Sequence, residues 1–338
     1  MTISSANHRS SFLALDLSGT GAPRSWAGSG DSESEAFIMG RLAGLASLAD
    51  KGGVDLITLG STFRLGSGRR RDDWLDGALA ASRLGRHTSN LTVAASVPLG
   101  VTDVAHVASA VASVHKATAG RAAWQVEGGS RPLSARAVEG VIGALAAPRV
   151  SRRTGRDVST RAAQVVVTVR EPLDLELAAA RADVARIRVA TLDEAVAARA
   201  AIRQAAADWG RDADEIRVLV DVRTVLGADD EGARARADLL AILDDESESG
   251  TDTSLLAFVG TSAGLAELWQ EWVAAGAADG FTVIPASVPT DVLAVVTELV
   301  GELTARGLRG AVERQAPVAP RKRVAAAHGA RRRVAVGV

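Results

Sequence analysis

The chain has 338 residues with no Cys, no Tyr, six Trp, five Phe and five His. Zero Cys excludes disulfides, thiolate nucleophiles, Cys-ligated zinc and iron–sulfur clusters, and zero Tyr excludes a tyrosyl acid or nucleophile. Lys+Arg is 39 against Asp+Glu 40, but residues 311–338 hold seven basic side chains and one acid, so residues 1–310 carry net −7 and give no global nucleic-acid footprint. The hydrophobic fraction of 47% suffices for a sizeable core, built mainly from Ala, Val and Leu. No charged N-terminal region leads into a long apolar run, and no stretch of ~18 apolar residues occurs. Neither a signal peptide nor a transmembrane helix is expected, and the expected location is cytoplasmic.

In chain order, residues 12–17 (FLALDL) read as a buried strand, followed by a Gly/Ser/Pro-rich loop from Ser18 to Ser32. Residues 34–51 have helical periodicity closed by Gly52-Gly53. A second strand is expected at 54–59, a helix at 73–86, a third strand at 91–97, a helix at 103–118 stopped by Gly120, and a fourth strand at 121–126. Residues 128–163, interrupted by Pro132, Pro148 and Arg152-Arg153, read as a loop or short-helix insertion. Strands then recur at 164–169, 185–189, 216–222 and 280–284, with helices at 191–209, 229–244, 262–276 and 290–306. Continuous apolar strand runs separated by helices mark a parallel sheet covered on both faces. Eight such runs fit a (β/α)8 barrel, and a doubly wound open sheet is the alternative that periodicity does not separate from it. The tail after Gly310, rich in Ala, Pro and Arg, reads as a disordered or surface arm.

No phosphate-binding P-loop, dinucleotide fingerprint or H-E-x-x-H segment occurs. His106 and His115 are nine apart on one helix, about 180° from a shared face, so they do not bind one metal together. His106, among Val104, Ala105, Val107 and Ala108, is either a structural histidine or the candidate base. The run Asp244-Asp245-Glu246-Ser247-Glu248 reads as a solvated loop, since its spacing fixes no cation ligands. Arg69-Arg70-Arg71, in the loop after the second strand, is either a solvated charge run or an attractor for an anionic group. Trp26 and Trp124 are candidates for a planar-ligand pocket or for core packing.

Several segments, taken in order, resemble the bacterial-luciferase-like flavin monooxygenases, in the branch of the nitrilotriacetate and sulfone monooxygenases. They are Ala46–Gly60 (ASLADKGGVDLITLG), Asp76–Gly85, Thr88–Val93, and Val104–Val114 through Gly120–Val126 (GRAAWQV), the most specific match. The C-terminal half adds Gly210–Val218, Val259–Thr261, Gly276–Thr282 and Glu302–Leu308. The resemblance covers about residues 10–310 and implies a TIM-like barrel, with a shortened insertion after the fourth strand. It implies reduced FMN or a deazaflavin at the C-terminal ends of the strands. It also implies oxygen activation where FMN is used, a small-molecule substrate, a flavin reductase as partner, and a homodimer.

On this resemblance the ring contacts are Asp16, Trp26, Ser61, Ser96 and Gln125, the phosphate contacts are Arg170, Arg69 and Ser130, and His106 is the catalytic candidate. The chain departs from the pattern at the flavin site. The family's "WN.VTS" run is Trp124-Gln-Val-Glu-Gly-Gly-Ser130, which puts Glu127 near an anionic cofactor. The Gly/Ser-rich phosphate loop falls at Thr168-Val-Arg-Glu-Pro172 without its small residues, and His115 replaces the Asp of "SLD". Three readings follow: a flavin-dependent oxidoreductase, a barrel without catalysis that serves as a binding or partner subunit, and a barrel hydrolase or isomerase using Asp16, Glu127 and Asp221.

Overall fold

The computed structural model describes residues 10–18, 35–60, 62–64, 74–99, 103–128, 135–146, 163–245 and 254–310. The elements run β1 Phe12–Asp16, α1 Glu35–Lys51, β2 Leu56–Leu59, β3 Thr62–Arg64, β4 Trp74–Asp76, α2 Gly77–Leu84, β5 Thr92–Leu99, α3 Val104–Ala117, β6 Ala122–Gly128 and α4 Ala135–Ala146. There follow β7 Gln164–Val169, α5 Pro172–Arg181, β8 Val184–Ile187, α6 Leu192–Asp208, β9 Arg217–Leu226, α7 Asp230–Asp245, β10 Leu256–Gly260, α8 Ser262–Ala274, β11 Gly280–Pro285, α9 Val288–Ala294 and α10 Val300–Ala305. A π-helical turn, Val295–Leu299, joins the last two helices.

Eight strands, β1-β2-β5-β6-β7-β8-β9-β11, pair in parallel and close on themselves through β8–β9 and β11–β1. The closed (β/α)8 barrel is therefore the fold, and the open-sheet alternative is excluded. β10 is an extra strand. It pairs with Val222–Leu226 of β9, above the short stretch where β9 meets β8.

The helices form for ordinary reasons. On α3 the buried positions Val107, Ala108, Val111, Val114 and His115 recur at helical spacing, and Asp103 caps the first turn through the His106 N–H at 2.7 Å. On α6 a reciprocal capping box of Thr191 and Glu194 starts an Ala-rich run that buries Ala195, Ile202 and Ala206. Several elements depart from the sequence expectation. Residues 128–163 contain a short helix, α4, one of the two forms expected there, whereas α2 starts at Gly77 rather than residue 73. Helix α5, strand β10 and the β3–β4 hairpin had no expected counterpart. α5 begins on Pro172, directly after its strand, so no polar loop sets it apart. The 311–338 tail lies outside the described residues.

Between the barrel and the helices, one continuous apolar layer surrounds the strands, and a second, smaller cluster fills the lumen. Trp124 belongs to the outer layer: it is 0% exposed and donates its indole N–H to Val97 O at 3.1 Å. It therefore packs the core rather than lining the mouth. Trp269 does the same on the opposite side, against Phe281 at 4.5 Å between ring centroids, with its N–H on Ser11 Oγ at 2.6 Å.

At the N-terminal end, an Asp placed just before a strand accepts the N–H of a residue in the neighbouring strand. Asp55 accepts from Leu13 at 2.8 Å, Asp183 from Val165 at 2.7 Å, and Asp279 from Val218 at 2.8 Å. These bonds set register at three of the eight joints. Gly280, the first residue of β11, is required by close approach, since a Cβ there would run into the Phe12 carbonyl.

Two substitutions test this account by urea unfolding. Trp269→Ala is expected to cost about 3–5 kcal/mol, because it empties a packed aromatic site. Asp279→Ala is expected to cost about 1–3 kcal/mol, because it orphans a buried backbone donor and releases Arg199, which holds Asp279 at 2.6 Å.

Candidate active site

The lumen is built in tiers, one inward residue per strand. The lower tier is Ala14, Leu56, Ala94, Ala123, Val166, Val184, Leu219 and Gly280; of these, all but Gly280 form the lumen cluster. Two residues further along each strand, every inward position becomes polar: Asp16, Thr58, Ser96, Gln125, Thr168, Arg186, Asp221 and Thr282. The strand register joins these eight into adjacent pairs, Asp16↔Thr58, Ser96↔Gln125, Thr168↔Arg186 and Asp221↔Thr282. The ring lies towards the C-terminal ends of the strands, the end at which barrels of this kind carry their sites.

Arg186 organises the ring. Its Nε donates to Asp221 Oδ1 at 2.8 Å, and one terminal nitrogen donates to Asp221 Oδ2 at 2.9 Å and Asp16 Oδ2 at 2.7 Å. The other terminal nitrogen donates to Thr58 Oγ1 and Gln125 Oε1, each at 3.2 Å. All five guanidinium donors are thus used, on residues from four other strands. Burial disfavours the guanidinium charge, but Asp221 and Asp16 outweigh it and hold Arg186 protonated above its ordinary range.

The two carboxylates diverge. Burial works against ionised Asp16, yet Arg186 and the Ser18 N–H, 2.9 Å from Oδ1, overcome it and keep the carboxyl below its ordinary value. At Asp221 burial prevails over Arg186 and raises the carboxyl. The Thr282 hydroxyl, fully buried in the same ring, has no hydrogen-bond partner among the described atoms.

Of the residues expected at the site, Asp16, Ser96 and Gln125 come together in this ring. Asp16 has a side chain 12% exposed, whereas Ser96 and Gln125 are 2% and 5% exposed. Arg170 follows β7 at the mouth, exposed. His106 lies outside the ring, exposed on the first turn of α3. Trp26, Ser61, Arg69 and Ser130 lie outside the described residues, as does the Glu127 side chain. Asp16 and Asp221 are tied to one guanidinium, so they do not form the free carboxylate pair that the hydrolase reading requires. Sequence reasoning passed over Arg186. Its signal was a lone Arg inside the apolar strand Val-Ala-Arg-Ile, at the polar position of the shared pattern.

The turn after β7, where the resemblance places a phosphate loop, is closed. Asp174 Oδ2 accepts the N–H groups of Arg170 at 3.0 Å and Glu171 at 3.1 Å. Glu194 does the same for Ala190 and Thr191 at the start of α6, and these backbone bonds hold its carboxyl below its ordinary value.

No protein-family model matches the chain, and no curated protein is similar to it in sequence. Solved structures do match. EDTA monooxygenase (EmoA) from Chelativorans sp. BNC1 superposes with a TM-score of 0.71 at 15% identity, over 89% of this chain and 95% of that one. The coenzyme F420-dependent tetrahydromethanopterin reductase from Methanopyrus kandleri gives 0.60 at 13% identity, over 87% and 99%. The oxygenating constituent of 3,6-diketocamphane monooxygenase from the CAM plasmid of Pseudomonas putida, solved with FMN, gives 0.59 at 14% identity, over 86% and 98%.

Arg186→Met removes the guanidinium that buried Asp221 and largely buried Asp16 share, and is expected to cost about 3–5 kcal/mol in urea unfolding. In an Asp16→Asn/Asp221→Asn background the same change is expected to cost much less. The pH dependence has a definite sign. Asp16, depressed in the folded chain, stabilises above the unfolded carboxylate value of about 3.9, and that contribution is lost as pH falls through its folded value. Raised Asp221 acts in the opposite sense. Asp16→Asn is therefore expected to lower the urea midpoint at neutral pH and to show a shallower acid-side decline than the parent. The chain has the closed (β/α)8 barrel fold of these solved structures.

Proposed function

We propose that the chain is an oxidoreductase that uses a flavin-type cofactor, FMN or a deazaflavin, on a small organic substrate, as a monooxygenase where the cofactor is FMN. The observation that carries this reading is the polar ring across all eight strands at the C-terminal end of the lumen, in a fold held in common with an FMN-bound and an F420-dependent enzyme. When bound, the cofactor supplies the redox chemistry, which suits a chain with neither Cys nor Tyr.

The ring fits the pyrimidine edge of such a cofactor, which offers carbonyl acceptors and one N–H donor. Asp16, ionised and partly open to the mouth, is the acceptor for that N–H. Gln125 has its carbonyl oxygen committed to Arg186, so its amide nitrogen is the end that donates to a ring carbonyl. Ser96 is its register neighbour and offers a second donor, its hydroxyl. Arg186 orients these groups without itself having a donor left over. The apolar tier beneath keeps water out of the lumen below the ring. With FMN this reading also calls for a flavin reductase as partner, and it retains the homodimer that the resemblance implies.

A second reading, a barrel without catalysis that serves as a binding or partner subunit, is favoured by one observation: Asp174 fills the turn where the resemblance puts the cofactor phosphate. Titration with FMN and with a reduced deazaflavin, followed by fluorescence, separates the two. Micromolar binding of either is expected, weakened about tenfold by Gln125→Glu, which keeps the acceptor for Arg186 but removes the donor. Absence of binding to both cofactors would put the second reading ahead.

A further inference from the structure

Above the polar ring, three arginines stand along consecutive strands: Arg223 within β9, Arg188 just past the end of β8 and Arg170 just past the end of β7. Strand alternation puts Arg188 two residues beyond Arg186 and Arg223 two residues beyond Asp221, while Arg170 stands two residues beyond Thr168. Arg170 and Arg188 are opposite each other, one step past the last paired residues Val169↔Ile187. Arg223 sits on β9 opposite Ile284 of β11, on the other side of β8 from β7. Arg188 is anchored over the ring, with Nε 4.0 Å from Asp221 Oδ2 and its side chain 24% exposed. Arg223 is half-buried and Arg170 exposed. The other described positions of this tier are Ser18, Gly60, Pro98 and Ile284, none of them basic, so among them the positive charge is on the β7–β8–β9 side.

Carboxylates stand at the helix starts on that side. Asp174 and Glu194 accept the N–H groups of the residues just before α5 and α6, Glu171 and Thr191 among them, and Asp229 takes the Gly232 N–H at the start of α7 at 2.7 Å. The positive groups that an anion meets on this wall are the three guanidinium groups. Guanidinium forks suit the oxygens of a phosphate monoester, and a position half-shielded from water strengthens the contact.

We propose that Arg170, Arg188 and Arg223 form a side-chain clamp for a phosphate dianion, that of the bound cofactor, on the β7–β9 wall of the mouth. The clamp replaces the turn after β7 that Asp174 closes. This inference rests on the flavin reading and deepens it. It assigns cofactor affinity to two arginines, Arg188 and Arg223, outside the contacts expected from sequence.

The test compares FMN with riboflavin, which share the ring system and differ by the phosphate. The parent is expected to bind FMN at least tenfold more tightly than riboflavin. Arg188→Gln and Arg223→Gln are each expected to reduce that preference about tenfold and to leave riboflavin affinity unchanged, the latter also reporting an intact fold. Equal affinity for the two ligands in the parent, or a preference that both variants keep, would overturn the clamp and leave the flavin reading standing. Should neither flavin bind, that reading fails, and inorganic phosphate at fixed ionic strength decides the clamp alone. A rise in the melting temperature of the parent that Arg188→Gln abolishes supports it, and no rise in the parent overturns it.

Discussion

The guanidinium of Arg186 joins five strands of the barrel at one point. β8 pairs with β9 over only four residues, Val184↔Arg217 to Ile187↔Val220, and above them β9 turns to β10. The barrel needs that joint to stay closed, and it uses only the lower part of β9, because the upper part pairs with β10. Arg186 crosses it with a bidentate bond to Asp221 and reaches over the lumen to Asp16, Thr58 and Gln125. A buried charge of this kind is costly unless every donor is met, and here every donor is. Its contribution is to specify one closure and one arrangement of the polar ring.

The tier below makes room for it. Ala14, Ala94, Ala123 and Gly280 are small, and Val166 and Val184 are short, so the tier directly beneath the ring holds no aromatic, and Phe12 packs against it one step further down β1. The scarcity of aromatics thus acts at a definite place. The bulky side chains, Trp124, Trp269 and Phe281, are all turned outwards against the helices. The larger apolar layer is outside the strands, and inside the barrel the small apolar cluster leaves the level above it for polar groups.

Much of the fold was legible because it rests on local pattern. All eight barrel strands lie within the runs read from the sequence, to within a few residues, since buried parallel strands leave continuous apolar stretches. Closure was not legible, because it depends on the pairing of the first barrel strand, β1, with the last, β11, and period-2 or period-3.6 patterns carry no such information. Helix α5 was missed because the sharp turn at Glu171-Pro172 leaves no polar loop to announce it. At the site, Asp16, Ser96 and Gln125 were singled out one by one as strand-end polar residues, but Arg186 was not. A charge inside an apolar run reads as an isolated exception until the eight strands are aligned on their inward positions. Only then do Asp16, Thr58, Ser96, Gln125, Thr168, Arg186, Asp221 and Thr282 fall on one level.

That level also explains how charge is distributed around the mouth. The ring holds two carboxylates and one guanidinium, so it is one positive charge short when both acids are ionised. Arg188 stands close enough to Asp221 to supply part of it, yet at 4.0 Å it makes no tight bond there. Burial keeps Asp221 reluctant to ionise, which lowers its hold on Arg188. The consequence is a graded wall: a neutral to negative floor at Asp16 and Asp221, and a positive rim above β7, β8 and β9. A planar ligand with a neutral, hydrogen-bonding edge and an anionic arm meets the right partner at each level only when the edge faces down and the arm lies along the rim. Orientation then follows from the charge order of two adjacent tiers.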